Sequence, residues 1–205
     1  VGTNSASAAN TTTLGFFSSL ESLFAETGST DGTSQSKQRL HTAGLLHSGD
    51  TQPVRIYSDV DVTGLELFSA KSSRILAGRD LRDISFYLQN VGSGDLSVVS
   101  AGRDLIAYDV GTAERVSAQS DGNVTSTSGG PLSGDIQISG PGTLQVFAGR
   151  NLDLGIGGNN ADGTGTGITS IGNGRNPYLP FEGADIIAAA GIGEARSLEA
   201  SKADF

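Results

Sequence analysis

ILAGRDLRDISF at residues 75–86 returns in altered form as VVSAGRDLIAYDV at 98–110 and as QVFAGRNLDLGIG at 145–157. The shared unit is Ala77, Gly78, Arg79, Asp80 and Leu81, then Ala101, Gly102, Arg103, Asp104 and Leu105. With one change it appears again as Ala148, Gly149, Arg150, Asn151 and Leu152. The glycines of the three copies are 24 and then 47 residues apart. The second gap is close to twice the first, which predicts a period of about 23 to 24 residues with one degenerate turn between the later copies. Repeats of this length belong to solenoids.

The residues around each copy say which kind. Leu96 and Val98 precede the second copy and Leu105 and Ala107 follow it; Leu144, Val146 and Ala148 lead into the third, with Leu152 and Leu154 after it. Leu65/Leu67 and Ile136/Ile138 repeat the pattern, each behind a glycine turn in TGLEL and SGDIQI. Alternation at period two marks strands with one buried and one wet face. No helical stretch separates them, which argues against a βα solenoid. The fold expected is therefore all-β: a parallel β-helix of about six coils over residues 53–193, rising on the order of 30 Å at the usual strand spacing. In each corner glycine supplies the backbone angles the bend demands, positive φ among them, alanine and leucine fill the core, and Arg and Asp or Asn face outward in charged ladders.

The flanks differ. Residues 1–52 form a low-complexity segment in which LGFFSSLESLFAE places Leu14, Phe17, Leu20 and Phe24 at helical spacing, so a short amphipathic helix packed on the open end of the solenoid is expected. Residues 194–205 form a polar tail. GGNNADGTGTG at 157–167 reads as a solvent loop, and GNGRNPYLPFEGADI as an extended, proline-stiffened segment that caps the solenoid or serves recognition. The chain starts without Met or a leader pattern and is expected to be a piece of something longer.

Composition narrows function. A net charge of −9 makes a nucleic-acid surface unlike this chain, and no apolar run is long enough for a membrane span. Without a single cysteine, disulfides, thiolate metal sites and cysteine catalysis fall away together. His41 and His47 are six residues apart with no acidic cluster beside them, so no metal site is expected. The glycine-rich loop departs from the dinucleotide fingerprint and from the calcium-binding nonapeptide, and no cofactor is expected. Two Asn-x-Thr triplets, at Asn10 and Asn123, are too short a pattern to carry an argument. Asp80, Asp83, Asp104 and Asp109 are the carboxylates that a polysaccharide-cleaving site would need. Asp80 and Asp104 stand where the repeat itself calls for a polar turn residue, and the third copy has Asn151 there; the chain is read as not an enzyme.

AGRDL, SAGRDL and AGRNLDL, with SGDLSV and PGTLQV before them, resemble the haemagglutinin-type repeats of filamentous haemagglutinin-like exoproteins, the passengers of two-partner secretion systems. GNGRNPYLPFEGADI is similar to a non-repeat region found late in some of them. The resemblance spans residues 54–193 and implies that the parallel β-helix is right-handed and that the chain is a secreted or cell-surface bacterial adhesin segment. It would be exported through an outer-membrane transporter partner and would act as a stalk for adhesion, biofilm or contact-dependent interaction with a surface glycan or protein. No catalytic residue is implied. The Asn-rich motif of the family's secretion-signal domain is not found, so the chain is not expected to be that domain. Two alternatives stay open: a β-helical domain that binds or cleaves polysaccharide, and a filament subunit that self-associates through its coil ends.

Overall fold

The computed structural model describes residues 44–109, 111–112, 134–155 and 167–193. Among them there is no helix, and thirteen strands carry the fold. In chain order these are β1 (Val54–Ser58), β2 (Val62–Thr63), β3 (Glu66–Phe68), β4 (Ser73–Ala77), β5 (Leu81–Arg82), β6 (Ser85–Gln89) and β7 (Leu96–Ala101). They continue as β8 (Asp104–Ile106), β9 (Ile136–Ser139), β10 (Thr143–Ala148), β11 (Asn151–Asp153), β12 (Ile168–Ser170) and β13 (Asp185–Ala190).

Three parallel sheets result. The first runs β1-β4-β7-β10-β13, the second β2-β5-β8-β11 and the third β3-β6-β9-β12. Each pass of the chain thus lays one strand in every sheet in the same order, four times over, and β13 begins a fifth pass. This corrects the expected count of about six coils. Val98 on β7 sits directly opposite Gln145 on β10, so the long gap between the second and third copies is one pass carrying an insertion. No degenerate turn lies between them. At the usual strand spacing the first sheet is about 19 Å across. Both long insertions leave at the same corner: one between Ile106 and Ile136, the other between Asp153 and Ile168. Most of the glycine-rich loop, the amphipathic segment at 14–24, His41 and the tail lie outside the described residues.

Columns of like residues run through the stack because the register never slips. Ile56, Ile75, Val99, Val146 and Ala188 follow one another across the first sheet, and Leu67, Phe86, Ile136 and Ile168 across the third. Ile75, Leu81, Phe86, Leu105, Ile138 and Leu144 are fully buried. The expected alternation in β7 is inverted: Ser97, Val99 and Ala101 are buried, while Leu96 and Val98 lie on the outer face. Register with Ile75 and Ala77 below dictates this, and the buried serine is satisfied. Its hydroxyl donates to Asn90 Oδ1 at 2.8 Å and accepts the Ser73 N–H at 3.1 Å, so the usual cost of a buried polar group does not arise.

Between β12 and β13 the chain does not cap the stack. It runs as a strap along the third sheet's outer side, where the Arg175 guanidinium lies 4.5 Å from the Tyr87 ring centroid and donates to Gln137 Oε1. Tyr87 in turn stacks on Phe68 at 4.8 Å. Within the strap Leu179 is buried, whereas Phe181 is 87% exposed.

Candidate functional site

The repeated unit forms one structure that crosses all the passes. Its arginine reaches back to the aspartate of the pass before. Arg79 donates from Nε and Nη2 to Asp61 at 3.2 and 2.8 Å, and Arg103 to Asp80 at 2.8 and 2.6 Å. Arg150 grips Asp104 in the same two-pronged way, with Nε at 2.8 Å. Each carboxylate also accepts a backbone N–H from the next pass: Asp80 N–H to Asp61 and Asp104 N–H to Asp80, both at 3.1 Å, and Asn151 N–H to Asp104 at 3.2 Å. Planar fork-to-carboxylate pairs with a third donor are the strong form of this interaction.

The aspartates do not face water as expected. Asp80 and Asp104 retain only 5% and 7% of their surface, while the arginine side chains stay about half exposed. A carboxylate with three fixed donors can be buried; the longer guanidinium covers it and keeps its own edge wet. The corner glycines also act differently from the expectation. Neither Gly78 nor Gly149 has positive φ; a Cβ there would run into the carbonyl of Asp59 or of Gly102 in the adjacent pass. Close approach of backbones, not turn geometry, requires glycine.

The ladder has two ends. In the first pass among the described residues the arginine place is taken by Val60, and Asp61 supplies the first rung. In the fifth pass the corner reads Gly191, Ile192, Gly193, which puts Ile192 where the earlier passes have the arginine. Asn151 is the neutral answer to that gap: its Nδ2 donates to Asp104 Oδ1 at 3.0 Å. Asn151→Asp places a second carboxylate against Asp104 and is expected to cost about 1 kcal/mol or more at neutral pH. Chemical denaturation at pH 7 and pH 3 checks this, the deficit shrinking at the lower pH.

Two-pronged donation from Arg150 holds the Asp104 carboxyl down to about 2, with Asn151 assisting and burial opposing. Asp80 is lowered too, chiefly by Arg103 and further by the Asp104 N–H, against burial. Since the folded values lie below the unfolded carboxylate value of about 3.9, this stabilisation is complete above about pH 4 and disappears as pH falls toward about 2. The urea midpoint should fall across that window, and Asp104→Asn should flatten the fall. Arg103→Ala, which strands the buried Asp80, should lower the midpoint roughly three times as much as Arg79→Ala, whose partner Asp61 is about one-third exposed.

The other carboxylates are engaged separately. Asp109 accepts from Arg82 Nε at 2.8 Å, and Asp83, fully buried with φ of 51°, accepts from Thr112 Oγ1 at 3.0 Å. Together these pairs fasten the start of the first insertion to the stack. An open hollow of about 580 Å³ runs beside the ladder's end, lined by Asp104, Asn151, Asp153 and Leu154 among others. With Asp104 ionised to low pH, it is unsuited to donate a proton as a general acid would near neutrality. His47 lies 3.5 Å from Asp50, and no cluster of three metal-ligating side chains occurs among the described residues.

No family model, curated protein or solved structure matches the chain. Its own geometry therefore carries the functional argument. Two parts of that geometry escape a reading of the repeat alone: Asp61 as the first rung, and Arg175 on Tyr87. DVDVTGLEL at 59–67 holds the signal for the first, in an Asp-apolar-Thr-Gly order that aligns with DLRDI at 80–84. Nothing in the sequence links Arg175 to Tyr87.

Proposed function

We propose that the chain is a right-handed parallel β-helical stalk segment of a large bacterial surface exoprotein, exported through an outer-membrane transporter partner. One observation carries the reading: the recurring charged residues bind each pass to the next and are thereby used for rigidity rather than chemistry. The haemagglutinin-type motif agrees with it. Both insertions emerge at one corner, which in a stacked repeat is where partner contacts are commonly made; a glycan or protein on another surface is the partner proposed there. The test is export in cells with and without the transporter, read as digestion of the chain by protease added to intact cells. Surface digestion that requires the transporter supports the reading. Retention inside the cell in both strains overturns it, and turnover of an acidic polysaccharide by the purified chain would replace it with the enzymatic alternative.

Strand β13, an edge of the first sheet among the described residues, exposes Ile186 and Ile187 at 38% and 48%, with Ile192 just beyond it at 60%; this favours a second reading as a filament subunit. Unpaired apolar edges invite pairing with another chain. Under this reading sedimentation shows assembly that grows with concentration, and Ile187→Lys abolishes it.

A further inference from the structure

Among the described residues Asp83 is the one non-glycine with positive φ, at 51°. Register shows what the backbone asks for at this place. Leu81 and Arg82 lie opposite Val62 and Thr63, so Asp83 follows opposite Gly64, which meets the same corner with a φ of 70°. Glycine enters the left-handed region freely, whereas a residue with a Cβ is disfavoured there. One pass further on, Arg82 lies opposite Ile106, so Ala107 is next in the column, and its φ is not positive. The second pass thus carries an aspartate where the first has the unstrained residue, and that aspartate is 1% exposed. A backbone held in a sparsely populated region persists where the surrounding structure fixes it, often for a use.

The carboxylate of Asp83 shows that use. Its Oδ2 accepts the Thr112 hydroxyl at 3.0 Å across 29 residues of chain. Thr112, at the root of the first insertion, keeps only 6% of its surface. The same hydroxyl lies 3.3 Å from the Asp109 carbonyl, Arg82 Nε donates to the Asp109 carboxylate at 2.8 Å, and the Gly111 N–H donates to it at 2.9 Å. Arg82 and Asp83 from the second pass are thereby knotted to Asp109, Gly111 and Thr112. At the root of the second insertion, one pass on, the positive φ falls on a glycine: Gly155 has a φ of 79°, and its N–H donates to Asp153 Oδ1, two residues back, at 2.9 Å. We propose that Asp83 is a positioning residue, which takes up a left-handed backbone so that its carboxylate fixes where the first insertion leaves the stack. Glycine would serve the corner of the second pass equally well, as Gly64 does in the first, but would give Thr112 no anchor. The assignment is independent of whether the stack serves as a stalk.

Amide hydrogen exchange and urea denaturation of the full chain separate this role from a purely structural one. Asp83→Gly should speed exchange at Gly111 and Thr112 at least fivefold while leaving the amides of β5 and β8 within twofold of the parent. Thr112→Val, which keeps the shape and removes the hydroxyl, should speed exchange at Gly111 and at position 112 to a similar degree. Both variants lose the anchor, but only Asp83→Gly also relieves the backbone, so its urea midpoint should lie above that of Thr112→Val. Asp83→Asn retains an acceptor oxygen and tolerates the left-handed region, and should restore exchange to within twofold of the parent. Unchanged exchange in Asp83→Gly overturns the proposal. An Asp83→Gly midpoint at or below that of Thr112→Val overturns it too, since the aspartate would then be holding the stack and not the insertion, and so does exchange as fast in Asp83→Asn as in Asp83→Gly.

Discussion

Gly149→Ala is expected to destabilise the stack by about 3 kcal/mol or more, out of proportion to one methyl group. The added Cβ would press into the Gly102 carbonyl on one side and lie 2.7 Å from the Gly193 carbonyl on the other. Both obstacles are backbone, held by the corner's own ladder: Gly149 N–H donates to Ala101 O and Gly193 N–H to Gly149 O, each at 3.0 Å. Nothing flexible can yield, so relief requires the passes to separate. That separation would also lengthen the Arg150 to Asp104 bonds. Far-UV circular dichroism against urea reads the effect as a large fall in midpoint. Gly94→Ala, where no atom lies within 4 Å of the added carbon, is the control and should stay within about 0.5 kcal/mol of the parent. Equal midpoints for the two variants would show that the passes are not packed as closely as described.

Phe86→Ala should cost about 3–5 kcal/mol, as truncation of a fully buried phenylalanine does where neighbours cannot collapse. Phe86 heads the buried side chains of the core by volume and lies between Leu67 and Ile136 in its column. Collapse is resisted because the flanking strands are fixed in parallel register above and below. Phe86→Leu keeps more of the volume and should cost less than half as much. Urea denaturation of the three proteins checks the order; a Phe86→Ala loss below about 1 kcal/mol would place that ring outside the core.

Much of the fold was legible because a strand repeat writes the same chemistry wherever the same column recurs. Alternation identified the strands, and the AGRDL spacing identified passes of the chain. Spacing misled where an insertion occupies nearly one period: 47 residues between Gly102 and Gly149 look like two passes, and only the pairing of β7 with β10 shows one. The parity of β7 was hidden because Ser97 is polar yet buried, its hydroxyl satisfied by Asn90 and Ser73, partners set by the corner rather than by neighbours in sequence. The direction of the charges was hidden for the same reason. Arg103 and Asp104 are adjacent in the chain, but each pairs with a residue a pass away. Asn151, the one change in the third copy, stands where an Asp would face Ile192 in the next pass instead of an arginine.

The ladder is also indifferent to how many rungs it has. Removal of residues 79–102 would bring Gly78 to Arg103, set Arg103 opposite Asp61, and leave Arg150 on Asp104, with every column across the three sheets still occupied. Duplication of the same block would add a rung just as neatly. Within the ladder, only the initiating Val60–Asp61 and the terminating Arg150–Asn151 are particular to their places, while Arg82, Asp83 and Tyr87 tie the block to the first insertion and the strap. A gene of this kind can therefore change the length of its product by whole-unit recombination, in steps of one strand spacing, without any compensating substitution in the ladder itself.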